Sequence, residues 1–169
     1  MASFGHAPLI LASASPRRRD LLAQIGIVPA RIAPTDIDET RRKDESPRAL
    51  AERLAREKAA ACGADGFVLA ADTVVALGTR NLEKAEDAAE AEAFLRLLSG
   101  RSHQCITGIA VKAPDGRLQS RTVLARVRMK RLTDQEIAAY VASGEWQGKA
   151  GGYGIQGMAG AFITHINGS

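Results

Sequence analysis

Between Phe67 and Leu77 the chain carries a single charge, Asp72, in an otherwise apolar or β-branched run, and this segment limits the fold more than any other. A run that is apolar on both alternating faces belongs inside a sheet covered on both sides, and it reads as one or two strands. Its length falls short of the roughly 20 residues that span a bilayer, so a membrane chain is not expected. An ionised carboxylate buried in such a run must be satisfied by a metal ion, a lysine or a bound water. The alternative is that Asp72 marks a turn between two strands.

The flanking segments place that run in an alternating context. Leu9 to Ala12 reads as a short buried strand, and Ser15-Pro16 supplies an N-cap and N1 proline for a helix to about Ile25. A second short strand is expected near Ala30 to Ala33, then a polar loop from Thr35 to Glu45. Ser46-Pro47 repeats the cap-plus-proline signal for a helix from Arg48 to Cys62, with Gly63 placed to end it in a left-handed conformation. After Phe67 to Leu77, Gly78 to Asn81 turns the chain into a helix from about Glu86 to Leu98. His103 to Lys112 and Leu118 to Lys130 flank Pro114-Asp115-Gly116 and predict an antiparallel hairpin. Thr133 and Glu136 form a capping box for a helix to Ser143, stopped by Gly144. Glu145 to Gly160 is a glycine-rich loop, and Ala161 to Ile166 reads as a last strand. Parallel-type and hairpin connections together predict a mixed α/β or α+β sheet domain. No internal repeat or linker is visible, so a single domain over residues 1–169 is expected.

Composition narrows the class. With 46% hydrophobic and 25% charged residues among 169, the chain has the make-up of a globular protein that needs no disulfide staple. Cys62 and Cys105 make no CxxC or Cys/His ligand set, which predicts free thiols. Met1 to Pro8 lacks a signal-peptide pattern, so a cytoplasmic protein is expected. Lys plus Arg exceed Asp plus Glu by a net charge of +4, which invites an anionic partner. Aromatic residues at 4% supply few stacking platforms, which disfavours nucleic acid and leaves a small phosphorylated ligand.

Four places carry candidate chemistry. Ser13-Ala14-Ser15-Pro16-Arg17-Arg18-Arg19 sits at a strand-to-helix junction, where free N–H groups and the helix dipole favour anions. Leu21, Leu22 and Ile25 would define the buried arc of that helix, placing Arg18 inside it, Arg17 at its flank and Arg19 away. The same arginines could instead snorkel along the surface. Lys58 lies in the apolar arc of the second helix, where an ammonium needs a carboxylate or an anionic ligand unless it too snorkels at the edge. Asp38 and Glu39 could join Asp72 as hard oxygen ligands for Mg²⁺ or Mn²⁺, although a solvated loop serves them equally well. Finally, Gly152, Gly154 and Gly157 spell GxGxxG, yet no strand precedes them and no helix follows, so a dinucleotide fingerprint is excluded. By themselves they describe a purely structural loop; the alternative is a loop whose backbone approaches a ligand, with Gln156 able to donate to and accept from a base edge.

At these residues the sequence resembles the Maf family of nucleotide pyrophosphatases, also called septum formation inhibitor proteins. The resemblance runs through Ser13-x-Ser15-Pro16-Arg17-Arg18, Asp38-Glu39, Lys58-Ala59 and Ala71-Asp72-Thr73-Val74-Val75. It continues through Ser99-Gly100-x-x-His103 with Thr107, and Lys149-Ala150-Gly151-x-Tyr153-Gly154-Ile155-Gln156-Gly157. It implies an ITPase-like α/β fold with a partly antiparallel, curved sheet, flanking helices and a central cleft, usually dimeric. The implied activity is metal-dependent hydrolysis of nucleoside triphosphates to monophosphate and pyrophosphate. Asp72 would then take a proton from water, and Glu39 with Asp72 would hold the Mg²⁺ or Mn²⁺. Arg18, Lys58 and Lys84 match positions facing the phosphates, and Arg17, Thr73 and Gln156 match positions tied to substrate choice. Lys84 lies in Glu83-Lys84-Ala85, where the family often has Gly-Lys-Pro. Ser13 and Ser15 have no evident His partner, so they read as hydrogen-bond donors to phosphate and not as nucleophiles. Ala71-Asp72-Thr73 with Tyr153-Gly154-Ile155-Gln156 is similar to the branch acting on dTTP and UTP. The alternatives are the sister branch that prefers 7-methyl-GTP, or a basic nucleic-acid-binding or cell-division module without catalysis. The family also continues past the position of Ser169 into a further apolar segment.

Overall fold

The computed structural model describes residues 7–168. In chain order the elements are β1 (Leu9–Leu11), α1 (Pro16–Gln24), β2 (Arg31–Ile32), α2 (Pro47–Ala61), β3 (Phe67–Leu77) and β4 (Arg80–Leu82). They continue with α3 (Ala88–Leu98), β5 (Ser102–Lys112), β6 (Leu118–Met129), α4 (Asp134–Ser143), a 3₁₀ turn (Met158–Phe162) and β7 (Ile163–Gly168). Among the described residues the strands form one open sheet in the order β2-β1-β3-β5-β6-β7, with β4 added on β3. β1 runs parallel to β2 and to β3, pairing Leu9, Ile10 and Leu11 with Phe67, Val68 and Leu69. β3 with β4 and β6 with β7 are antiparallel, so the sheet is mixed, as the two kinds of connection predict. No helix among the described residues is long and apolar enough to cross a membrane.

The chain divides into two compact units. The first comprises the residues up to Asp72 together with Thr107–Thr122, and the second Thr73–Ile106 together with the residues from Val123 onward. β3, β5 and β6 contribute residues to both.

In the first unit α2 is the organising helix. Ser46 caps it, its hydroxyl accepting from the Ala49 amide at 3.2 Å, and Pro47 occupies a position whose missing N–H costs nothing. Leu50, Ala51, Leu54, Ala55 and Ala59 form its buried arc, and Ala55 and Ala59 pack with Ile10, Val68 and Ala70. Such small side chains let the helix backbone come close to the sheet. At Gly108 of β5 the approach is closest: a Cβ there would stand 2.1 Å from the Ala51 carbonyl oxygen and 2.5 Å from its carbon. Only a residue without a side chain fits under that turn.

Two local expectations fail here. No residue of α1 is buried: Leu21 is 58% exposed and Ile25 69% exposed, and Leu22 is half-buried, so the expected buried arc is largely uncovered among the described residues. Gly63 does not end α2 in a left-handed turn, because Cys62 already leaves the helix in an extended conformation.

The second unit has the larger core, built from Leu82, Phe94, Leu95, Leu98, Met129 and Tyr140 with their neighbours. Asp87 caps α3 by accepting from the Glu90 amide at 2.8 Å. Thr133 and Glu136 form the expected capping box on α4, and Gly144 ends it at φ 72°. β4 begins inside the segment expected to be a turn and ends one residue past it, and a 3₁₀ turn takes the first residues of the expected last strand.

Candidate active site

The carboxylate that interrupts β3 is not in a turn and not in bulk water. β3 is one continuous strand, and the Asp72 side chain is 13% exposed. Its Oδ1 accepts a hydrogen bond from Lys58 Nζ at 2.5 Å. Lys58 reaches it from the buried arc of α2 with its own side chain only 11% exposed, and the same ammonium lies 2.7 Å from Glu39 Oε1. Burial alone would drive the Lys58 pKa down, but the hydrogen bonds and charges of Asp72 and Glu39 outweigh it and hold the group above the ordinary lysine range. The arc position thus led to a paired ammonium, not to one that snorkels.

The junction between β1 and α1 supplies the second part. Ser13 is buried, and its Oγ accepts from Arg18 Nη1 at 2.9 Å and from the Ser15 amide at 3.2 Å, leaving the Ser13 hydroxyl proton to donate. Ser15 is the N-cap of α1, and its side chain makes no capping bond. Burial lowers the pKa of the half-buried Arg18, Arg17 adding to this while Asp72 and Glu39 oppose it. Arg18 therefore shares the electrostatic neighbourhood of both carboxylates. Arg17 is exposed beside it, and Arg19 points away toward Asp20 at 3.7 Å. In this unit Ser13, Arg18, Glu39, Lys58 and Asp72 are brought together, with Ser15 and Arg17 at the rim. Asp38 is not: it is exposed and accepts from the Thr40 amide at 2.9 Å, a turn-forming role within the loop.

Arg53, on α2, holds the Glu39 loop in place. Arg53 is only 12% exposed in its side chain and clamps Glu45 with two bonds, Nε to Oε1 at 2.7 Å and Nη2 to Oε2 at 2.9 Å. Its Nη2 also donates to the Thr40 carbonyl at 3.0 Å, one residue after Glu39. The hydrogen bonds from Arg53 pull the Glu45 pKa to about 2, so the clamp keeps its charges near neutrality. The local signal was only the i,i+4 pair of Arg53 with Glu57; the partner that matters is eight residues away across a loop.

The second unit carries Thr73, Lys84 and Gln156. Thr73 follows Asp72 in β3 and is exposed. Lys84 pairs with Ala150 in an isolated antiparallel bridge, which joins it to the foot of the glycine loop. That loop is tightly held. The Gly154 amide donates to Tyr140 Oη at 3.3 Å, and a Cβ on Gly154 would meet Lys149 Cδ at 2.7 Å. The Met158 amide donates to Glu145 Oε2 at 2.9 Å. Gln156 is exposed on this pinned backbone.

Tyr153, in the same loop, shares a 2.5 Å hydrogen bond with Nε2 of His103, which is 2% exposed. Cys105 Sγ lies 3.8 Å from the same hydroxyl, and both cysteines are free thiols as expected. Burial drives the His103 pKa to about 4, so the ring is neutral at pH 7. The folded value lies below the unfolded value of 6.5, so the native state binds fewer protons between them. Stability from this group is complete above pH 6.5 and is lost as pH falls toward 4. Urea unfolding at a series of pH values should show wild type losing about 3 kcal/mol more across that window than His103→Gln. Parallel curves for the two proteins would contradict the buried neutral ring.

The donors suit a divalent cation. Asp72 and Glu39 present hard oxygens that converge on the Lys58 ammonium, a donor type that suits a hard divalent cation. Among the described residues no group of three or more His, Cys, Asp and Glu side chains could hold a metal by itself. Further ligands would therefore have to come from water or from substrate phosphates.

A mixed sheet with a carboxylate–lysine pair beside an arginine-bearing helix start defines a candidate anion-handling hydrolase. The family model described as Maf-like protein matches residues 8–169, and the chain belongs to the Maf family. A dTTP/UTP pyrophosphatase of Hyphomonas neptunium is 80% identical over 98% of this chain and 87% of its own length. One of Caulobacter vibrioides is 60% identical over 95% of this chain and 85% of its own. Among solved structures, a HAM1 protein from Coxiella burnetii aligns over 73% of each chain at 19% identity with a TM-score of 0.49, too weak a likeness to bear on activity.

Proposed function

We propose that this chain is a cytoplasmic, homodimeric nucleoside triphosphate pyrophosphatase that cleaves the α–β anhydride of dTTP and UTP by metal-assisted attack of water. The carrying observation is Asp72, held inside β3 by Lys58 and sharing that ammonium with Glu39. The names of the relatives at 80% and 60% identity support the substrate class.

Asp72 accepts the proton of the attacking water. In the first unit Arg17, Arg18 and Lys58 bind the triphosphate, and the hydroxyls of Ser13 and Ser15 donate to its oxygens; Lys84, in the second unit, takes a phosphate-facing role on the family resemblance alone. Asp72 and Glu39 hold a divalent cation, which would supply charge neutralisation at the phosphate oxygens. Thr73 and Gln156 select the base, Gln156 through an amide that both donates and accepts. No covalent intermediate is needed, and pyrophosphate leaves intact.

Incubating the protein with dTTP, UTP, CTP, GTP and 7-methyl-GTP in Mg²⁺ or Mn²⁺ and quantifying both phosphate products tests this. Pyrophosphate with dTMP or UMP is expected. Orthophosphate as the first product, or a preference for 7-methyl-GTP, would overturn the reading.

A further inference from the structure

We propose that Lys58 is a resident stand-in for the metal: its ammonium occupies the place between Asp72 and Glu39 until a divalent ion arrives, and it then transfers to the triphosphate. This rests on the metal-assisted reading above and gives one lysine two successive partners.

Nζ lies 2.5 Å from Asp72 Oδ1 and 2.7 Å from Glu39 Oε1. Those separations exceed the about 2.0–2.1 Å of Mg²⁺–oxygen bonds by roughly 0.4–0.7 Å, so an ion could take over both oxygens only if they close in on it by about that much. The Glu39 side chain is 45% exposed, on a loop whose backbone Arg53 clamps one residue further on. One ammonium between two carboxylates leaves a net negative charge, whereas a divalent ion in its place would neutralise both carboxylates and leave Lys58 without its anionic partners.

The displaced ammonium needs another anion. Its side chain is 11% exposed and rises from the buried arc of α2, so leaving it unpaired would be costly. Metal and triphosphate therefore enter together, the ion taking the carboxylates and the phosphates taking Lys58. The metal alone binds poorly because it would strand the lysine.

Mn²⁺ titration of the nucleotide-free protein, read by the spin-resonance signal of free Mn²⁺, tests this without turnover. Lys58→Met should bind one Mn²⁺ at least about tenfold more tightly than wild type, because the competing charge is gone. Lys58→Arg keeps the charge and should stay as weak as wild type. Adding Asp72→Asn to Lys58→Met should remove the gain. Equal Mn²⁺ affinity in wild type and Lys58→Met, or a gain that survives Asp72→Asn, overturns the proposal. Should Lys58→Met not fold, Lys58→Gln carries the same titration with a neutral, polar side chain. Absence of dTTP hydrolysis in wild type would sink the enzymatic reading and leave the Mn²⁺ result standing, so the two failures are separable.

Discussion

Asp72→Asn protein folds and retains nucleotide binding but releases pyrophosphate about 10³-fold more slowly than wild type, the range expected when a proton acceptor is lost. The amide keeps the shape of the carboxylate and can still accept from Lys58 Nζ, while Glu39 keeps its own bond to that ammonium. The substitution therefore removes the base and one anionic oxygen ligand of the proposed cation, while Lys58 keeps a hydrogen-bond acceptor. Steady-state assay of pyrophosphate in Mg²⁺, with circular dichroism to confirm the fold, measures it. Turnover within tenfold of wild type would show that another group takes the proton.

The largest effect on stability falls on a residue with no chemistry. In Gly108→Ala the new Cβ would sit 2.1 Å from the Ala51 oxygen, 2.5 Å from its carbon and 2.9 Å from the Glu52 nitrogen, all backbone atoms of a regular helix. None can rotate aside, so α2 must lift from β5, at roughly 3 kcal/mol or more for overpacking against an unyielding surface. Gly63→Ala is the control, because nothing lies within 4 Å of a Cβ there. Urea midpoints should separate the two variants clearly. A Gly108→Ala protein as stable as Gly63→Ala would mean that α2 is not seated as described.

What was legible in the sequence was local. Ser46-Pro47 and the Thr133–Glu136 box announced their helices because capping is settled within four residues. Pro114-Asp115-Gly116 announced its turn, closed by the Gly116 amide donating to the Ala113 carbonyl at 2.9 Å. Asp72 and Lys58 were each conspicuous as charges in apolar patterns, and their meeting follows from the cost of burying either alone. The failures were questions of partnership. Leu21 and Ile25 have helical spacing, but spacing cannot supply a surface to cover them. The Arg53 clamp has no signature in the helical pattern, because its two-bond partner, Glu45, lies across a loop that periodicity does not describe. His103 and Tyr153 are 50 residues apart, so no window on the sequence joins them.

The alanine face of α2 has one more implication. Ala51, Ala55 and Ala59 fix the height at which the helix rides over the sheet, and Lys58 hangs from that same helix. The gap spanned by its ammonium is thus gauged by methyl groups that never touch substrate. A single added methylene along that stripe would raise the lysine off its carboxylates, so the same methyl groups set both the seating of the helix and the reach of its ammonium.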